Sequence, residues 1–105
     1  MVIYDLECEI SFGRAIEEPR RQGFNEAAGA HRPGWHGPLP VVSWKGEAEA
    51  VLFLVLKGPG PGEAGAADTV CNDAERQIRG WAEEAGIAEP SSGSVIVSCQ
   101  AIPRQ

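Results

Sequence analysis

Apolar and polar residues alternate without interruption at the start of the chain. Val2, Tyr4, Leu6, Cys8, Ile10 and Phe12 share one side of an extended backbone; Asp5, Glu7, Glu9 and Ser11 share the other. Successive side chains of a strand point to opposite faces, so this period predicts a strand with one buried and one wet face. The wet face is a row of carboxylates. Gly13 closes the strand.

The alternation then stops. Residues 14–40 carry Pro19, Pro33, Pro38 and Pro40 together with Gly23, Gly29, Gly34 and Gly37, which reads as one long irregular loop. Within it, residues 17–28 admit a short helix with Pro19 in the first turn, where a missing N–H is tolerated, although Gly23 weakens it. Loops this long inside a small domain are often either functional or disordered.

Val41 to Trp44 predicts a short strand, Lys45-Gly46 a two-residue hairpin loop, and Glu47 to Leu56 the returning strand. That strand begins by alternating, with Glu47 and Glu49 on one side. It ends apolar on both sides, from Val51 through Phe53 to Leu56, as expected of a central or doubly covered strand. Gly58-Pro-Gly-Pro-Gly62 then predicts a flexible connection. Pro59 and Pro61 lack the N–H groups a phosphate cradle needs.

The clearest helical pattern follows. Val70, Cys71, Ala74, Ile78, Trp81, Ala82 and Ala85 form one apolar stripe at helical spacing, with Asp68 or Thr69 as N-cap and Gly86 as terminator. Glu75 and Arg79 stand four residues apart on the polar side, as a supporting ion pair would. Val95 to Ile102 is the last strand, with Val95, Val97, Cys99 and Ala101 on one face and Pro103 as its stop.

These elements predict an α+β fold. A four-stranded, mostly antiparallel sheet carries one long amphipathic helix (about 69–85) on one face, in the ferredoxin-like order β-(α/loop)-β-β-α-β. In that arrangement Trp81 and Ile78 press on the sheet beside Phe53, Leu6 and Val97. With 105 residues the chain reads as a single α+β domain over 1–105, with the irregular loop at about 14–40.

Charge narrows the function. The formal net charge of −6 disfavours nucleic acid and anionic membranes and suits a basic protein partner. The longest apolar run, Ala50 to Leu56, is too short to span a bilayer. The N-terminus lacks a basic n-region and an apolar h-region, so no secretory leader is expected. Cys8, Cys71 and Cys99 fall on apolar faces, which predicts three reduced core thiols in a cytoplasmic protein.

Two groups of residues carry chemistry. Asp5, Glu7 and Glu9, joined by Glu47 and Glu49 if the strands are neighbours, form an acidic face suited to a basic partner. Carboxylates diverging from a flat sheet do not converge on a cation, so no metal is expected there. Arg20, Arg21, His31, Arg32, Trp35 and His36 form the second group, on the loop, with the composition of a partner- or ligand-binding surface. The competing view is that Trp35 and Phe24 pin the loop while its arginines neutralise the carboxylates. His31 and His36 have zinc-like spacing but no Cys-x2-Cys pair beside them. Ser-hydrolase and nucleotide-loop motifs are missing from the sequence, and no cofactor is expected.

The reading is a non-enzymatic, acidic protein-binding module, an inhibitor or antidote that covers a basic, nucleic-acid-binding surface of a larger protein. The alternative is a small ferredoxin-like enzyme or small-molecule binder that uses the His/Arg loop at 14–40. A third reading is a homodimer formed by sheet pairing through the first or third strand.

Overall fold

A computed structural model of the chain describes residues 2–30, 39–87 and 95–104. The elements are β1 (Val2–Ser11), α1 (Glu18–Ala28), β2 (Val41–Trp44), β3 (Glu49–Gly58), α2 (Ala66–Glu84) and β4 (Ile96–Pro103). The four strands form one open antiparallel sheet in the order β2-β3-β1-β4. Among the described residues two helices accompany the sheet in an α+β arrangement, the short helix admitted at 17–28 being formed beside the long one.

β1 follows the alternation of its sequence. Tyr4, Leu6, Cys8 and Ile10 are buried, while Asp5, Glu7 and Glu9 are exposed. It lies inside the sheet, with Glu7 opposite Phe53 on β3 and opposite Gln100 on β4. β3 is interior too, between β1 and β2. Both strands named for sheet extension therefore already have two neighbours, and the outer strands are β2 and β4.

The connection from β2 to β3 runs over residues 45–48, longer than the expected two-residue loop. The Lys45 N–H donates to the Glu49 carbonyl at 2.9 Å. Gly46 supplies the turn with a φ of 129°, a backbone state that Lys45 does not have to share.

α1 forms despite Gly23. Pro19 sits in its first turn, and the Glu17 carbonyl accepts from the Arg20 and Arg21 N–H groups at 3.0 Å each. Its anchor is Phe24, fully buried in an aromatic cluster. Phe24 meets Phe12 edge-on at 5.5 Å, Trp44 at 6.0 Å and Trp81 at 6.3 Å, and Phe12 stacks on Trp44 at 5.0 Å. Tertiary packing of aromatics overrides a poor local propensity here.

α2 begins three residues earlier than the apolar stripe suggests. Gly65, at φ 74°, is its N-cap, and Thr69 donates its hydroxyl to the Gly65 carbonyl at 3.0 Å. Asp68 lies in the first turn, not at the cap. The other end matches the sequence. Gly86 is left-handed, its N–H reaches Glu83, and the Ile87 N–H reaches Ala82 at 2.9 Å. Ile87 is buried, completing a Schellman closure. Arg79 does not turn to Glu75; it donates to the Val95 carbonyl at 2.6 Å, at the start of β4, and the ion pair on this helix is Arg76–Asp73.

The core lies between the helices and one sheet face. Val70, Ala74, Ile78, Trp81 and Ala82 of α2 join Leu6, Cys8, Ile10, Leu52, Leu54 and Val97 of the sheet. Phe53 is not among them. It points to the opposite face and is 48% exposed, because the period of two puts it out of phase with Leu52 and Leu54.

The glycine- and proline-rich connection is tethered. The Tyr4 hydroxyl donates to the Pro59 carbonyl at 2.6 Å, and Glu63 N–H returns to Gly60 at 2.9 Å. At Gly58 a Cβ would run into Val70 Cγ2 and come within 3.3 Å of Tyr4 Cε2. Both neighbours are fully buried. Gly58→Ala is therefore expected to cost roughly 1–3 kcal/mol by overpacking. At Gly60 an added Cβ meets open space, and Gly60→Ala is expected to stay within about 0.5 kcal/mol of the parent. Parallel urea titrations compare the two.

Cys8 and Cys99 face each other across β1 and β4 and are joined as a disulfide. This overturns the expectation of three reduced thiols. Apolar phase puts both side chains on the core face, but only strand register, hidden in the sequence, makes them direct neighbours. Cys71 remains free.

Among the described residues, no helix is long and apolar enough to cross a membrane.

Candidate interaction face

The helices cover one side of the sheet. Among the described residues nothing covers the other. Its composition follows from phase and register. β1 contributes Ile3, Asp5, Glu7 and Glu9. β3 contributes Glu49, Val51, Phe53, Val55 and Lys57. β2 adds Val41 opposite Phe53 and Ser43 opposite Val51. β4 adds Ile96, Ser98, Gln100 and Ile102.

The acidic residues therefore do come together, in part. Asp5, Glu7 and Glu9 line one strand at about 6.8 Å intervals. Glu49 stands opposite Ser11 and diagonal to Glu9. Glu47 does not join them: it lies in the 45–48 connection, where its carbonyl accepts the Ile16 N–H at 2.8 Å. A shallow depression of about 480 Å³ lies between Glu9, Ser11, Glu49, Val51, Ile96 and Ser98, with Lys45 at its rim. Among the described residues no three His, Cys, Asp or Glu side chains are placed to hold a metal ion.

One carboxylate is already paired. Arg104 approaches Asp5 with two nitrogens, at 2.6 and 3.1 Å, on the exposed surface. This contact raises the arginine's pKa further above its ordinary value. Arg104 was invisible as a partner in the sequence, because only the β1–β4 register brings it near Asp5. Glu7 and Glu9 form the centre of the row, and among the described residues no cation pairs with either of them.

The apolar part of the face is the larger surprise. Val41 is 60% exposed, Ile96 64% and Ile102 62%, and Ile3 is exposed as well. Phe53 and Val41 stand on the β3 side of the carboxylates, and Ile96 and Ile102 at the two ends of the β4 side, where Ser98 and Gln100 lie opposite Glu9 and Glu7. Signals for them existed: the doubly apolar run from Val51 to Leu56, and the alternation of Ile96, Ser98, Gln100 and Ile102 opposite the core phase of the last strand.

The loop residues are placed differently. Arg21 donates to the Ile16 carbonyl at 2.5 Å and lies 5.9 Å over the Trp44 ring. Arg14 donates to the Ile87 carbonyl at 2.8 Å. Arg20 is exposed on α1. Arg14 and Arg21 thus bind backbone and aromatic groups on the helix side rather than neutralising the carboxylate row. His31, Arg32, Trp35 and His36 lie outside the described residues.

Cys71 sits where α2 meets β4. Its Sγ–H donates to the Cys99 carbonyl at 3.4 Å. Burial, and then the carboxylates of Glu75 and Asp68, push its thiol above the ordinary range, while the Ala101 backbone N–H works in the other direction.

Comparison of the chain with protein-family models, with curated proteins and with solved structures finds no match.

Proposed function

We propose that the chain is a protein-binding module of ferredoxin-like topology, which sets the open face of its sheet against a basic surface of a larger protein. An inhibitor or antidote that shields a nucleic-acid-binding surface is the form of this reading that fits best. The order β-α-β-β-α-β with strands arranged β2-β3-β1-β4 supports the topology.

One observation carries the reading: exposed Phe53, Val41, Ile96 and Ile102 flank the Glu7–Glu9 carboxylates on a single face. Grouped apolar residues beside charge are what a protein interface presents, whereas a solvated sheet face would alternate to polar side chains. Carboxylates raise association rate and partner choice; apolar contacts supply most of the hold.

A basic partner is favoured over a second copy. Two copies stacked through this face would bring Glu7 and Glu9 against their own equivalents, and like charges in contact oppose docking. The alternative of a ligand site on loop 14–40 loses Arg21, which is committed to Ile16 and Trp44. The cytoplasmic location expected from sequence does not enter this proposal. One of its grounds was three reduced thiols, and paired cysteines are typical of oxidising compartments.

The test is capture from the native host with the parent chain, Phe53→Asp, and the double variant Glu7→Gln/Glu9→Gln. All three positions are exposed, so folding should be unchanged. The expected result is one stoichiometric basic protein, retained at low salt and released at high salt. Phe53→Asp should weaken its binding roughly 30-fold, the effect of losing about 2 kcal/mol at an interface anchor. A partner indifferent to salt and to both variants would contradict the proposal.

A further inference from the structure

Three sulfurs gather around β4, and backbone geometry explains how. The Arg104 N–H donates to the Ile3 carbonyl directly opposite at 2.8 Å, so Ile3 and Arg104 form a hydrogen-bonded pair. Pairs alternate along an antiparallel ladder. Counting along the register, Cys8 and Cys99 form a non-hydrogen-bonded pair, the kind in which opposing side chains come closest. The Cys99 carbonyl and the Ala101 N–H then point away from β1, toward the outer edge of β4. Cys71 of α2 meets them there: its thiol donates to that carbonyl, and the Ala101 N–H turns toward its sulfur.

Access differs among the three. Cys8 is fully buried, whereas Cys71 and Cys99 are each half-buried. Of the two bonded sulfurs, Cys99 is therefore the accessible one.

We propose that Cys71 and the Cys8–Cys99 disulfide form a thiol–disulfide exchange site, in which the bond passes from Cys8–Cys99 to Cys71–Cys99. Cys71 loses its proton and its thiolate attacks Cys99 Sγ. The Cys71–Cys99 bond forms as the Cys8–Cys99 bond breaks, and the electron pair leaves on Cys8 Sγ. Cys8 then takes up one proton, replacing the one Cys71 released. One disulfide and one thiol stand on each side, so the step consumes no oxidant or reductant. The step replaces a β1–β4 link by an α2–β4 link, and so removes the covalent tie between β1 and the strand that carries Ile96 and Ile102 of the open face. The scarcity of thiolate at Cys71, which burial, Glu75 and Asp68 impose, makes the exchange slow at rest.

Trypsin places each cysteine in its own peptide: Cys8 in 1–14, Cys71 in 58–76 and Cys99 in 80–104. Cys8→Ala protein is oxidised with oxidised glutathione at micromolar concentration, alkylated, digested and mapped by mass spectrometry. The expected product is monomeric, with 58–76 linked to 80–104. It should exceed Cys71-linked or Cys99-linked dimers by about a hundredfold, since groups held in one chain see each other at effectively millimolar concentration. Glutathione adducts or dimers without the internal link would overturn the proposal. The parent protein, incubated at alkaline pH without added reductant, then alkylated, digested and mapped, gives a reading free of any mutation. A fraction with 58–76 linked to 80–104 supports the exchange, and a population holding only the 1–14/80–104 link excludes it.

Discussion

Reducing the Cys8–Cys99 bond is expected to remove roughly 3–5 kcal/mol of stability. The bond closes a loop with a sequence separation of 91, nearly the whole chain, and long loops are where a crosslink restricts the unfolded state most. It also holds β4, whose one sheet neighbour among the described residues is β1. Domains of this size have about 5–15 kcal/mol in total, so the loss is a large share. The melting temperature should fall by roughly 12–40 °C, at about 4–8 °C per kcal/mol for a chain this long. Guanidinium titrations with and without reductant measure the effect directly. The same reductant added to Cys8→Ala/Cys99→Ala protein is the control and should change nothing. Equal midpoints for oxidised and reduced parent protein would show that the bond does not constrain the fold.

The second large effect is at Phe24. Phe24→Ala is expected to cost roughly 3–5 kcal/mol, the usual range for emptying a buried aromatic site. Phe24 is in ring contact with Phe12, Trp44 and Trp81, so its loss leaves three aromatic partners facing a cavity. Beside Phe24, α1 buries Ala28 in the core. Its N-cap lacks a side-chain hydrogen bond and Gly23 lies in its middle. Its ties to neighbouring elements include the Trp44 Nε1–H bond to Asn25 at 2.9 Å and the close approach of Gly23 to Ala85. Trp81→Ala, at the rim of the same cluster, should cost a similar amount. Near-ultraviolet circular dichroism should lose intensity in both variants along with the melting temperature. A Phe24→Ala protein with a parent-like melting curve would mean that α1 docks by other contacts.

Sequence periodicity made much of this legible, for a physical reason. β1 is buried on one face only, so its period of two survives intact from Val2 to Phe12. The α2 stripe is legible in the same way, and its left-handed Gly86 marks the end because no other residue type adopts that conformation as cheaply. What was hidden depends on long-range register. The phase of β3 is masked by its doubly apolar second half, so Phe53 passed for a core residue. The pairing of Cys8 with Cys99, and of Asp5 with Arg104, needs knowledge of which residues oppose each other across β1 and β4. The start of α2 at Ala66 was missed because Gly65 caps it through backbone geometry rather than through a side chain.

The acidic row was legible as a row, and its context was not. Asp5, Glu7 and Glu9 alone suggest a solvated surface. Exposed Phe53, Val41, Ile96 and Ile102 on both sides of them turn it into a surface with something to bury. That difference decides whether the charges are merely solubilising or belong to an interface.

Carboxyl footprinting tests this most directly. The free protein and its complex with the captured basic partner are labelled with a carbodiimide and an amine, and modification at each Asp and Glu is quantified by mass spectrometry. Glu7, Glu9 and Glu49 should react readily in the free protein and become protected in the complex, while Glu83 and Glu84 on α2 react equally in both. Protection confined to the α2 carboxylates, with Glu7 and Glu9 as reactive as before, would place the partner on the other side of the molecule and contradict the account.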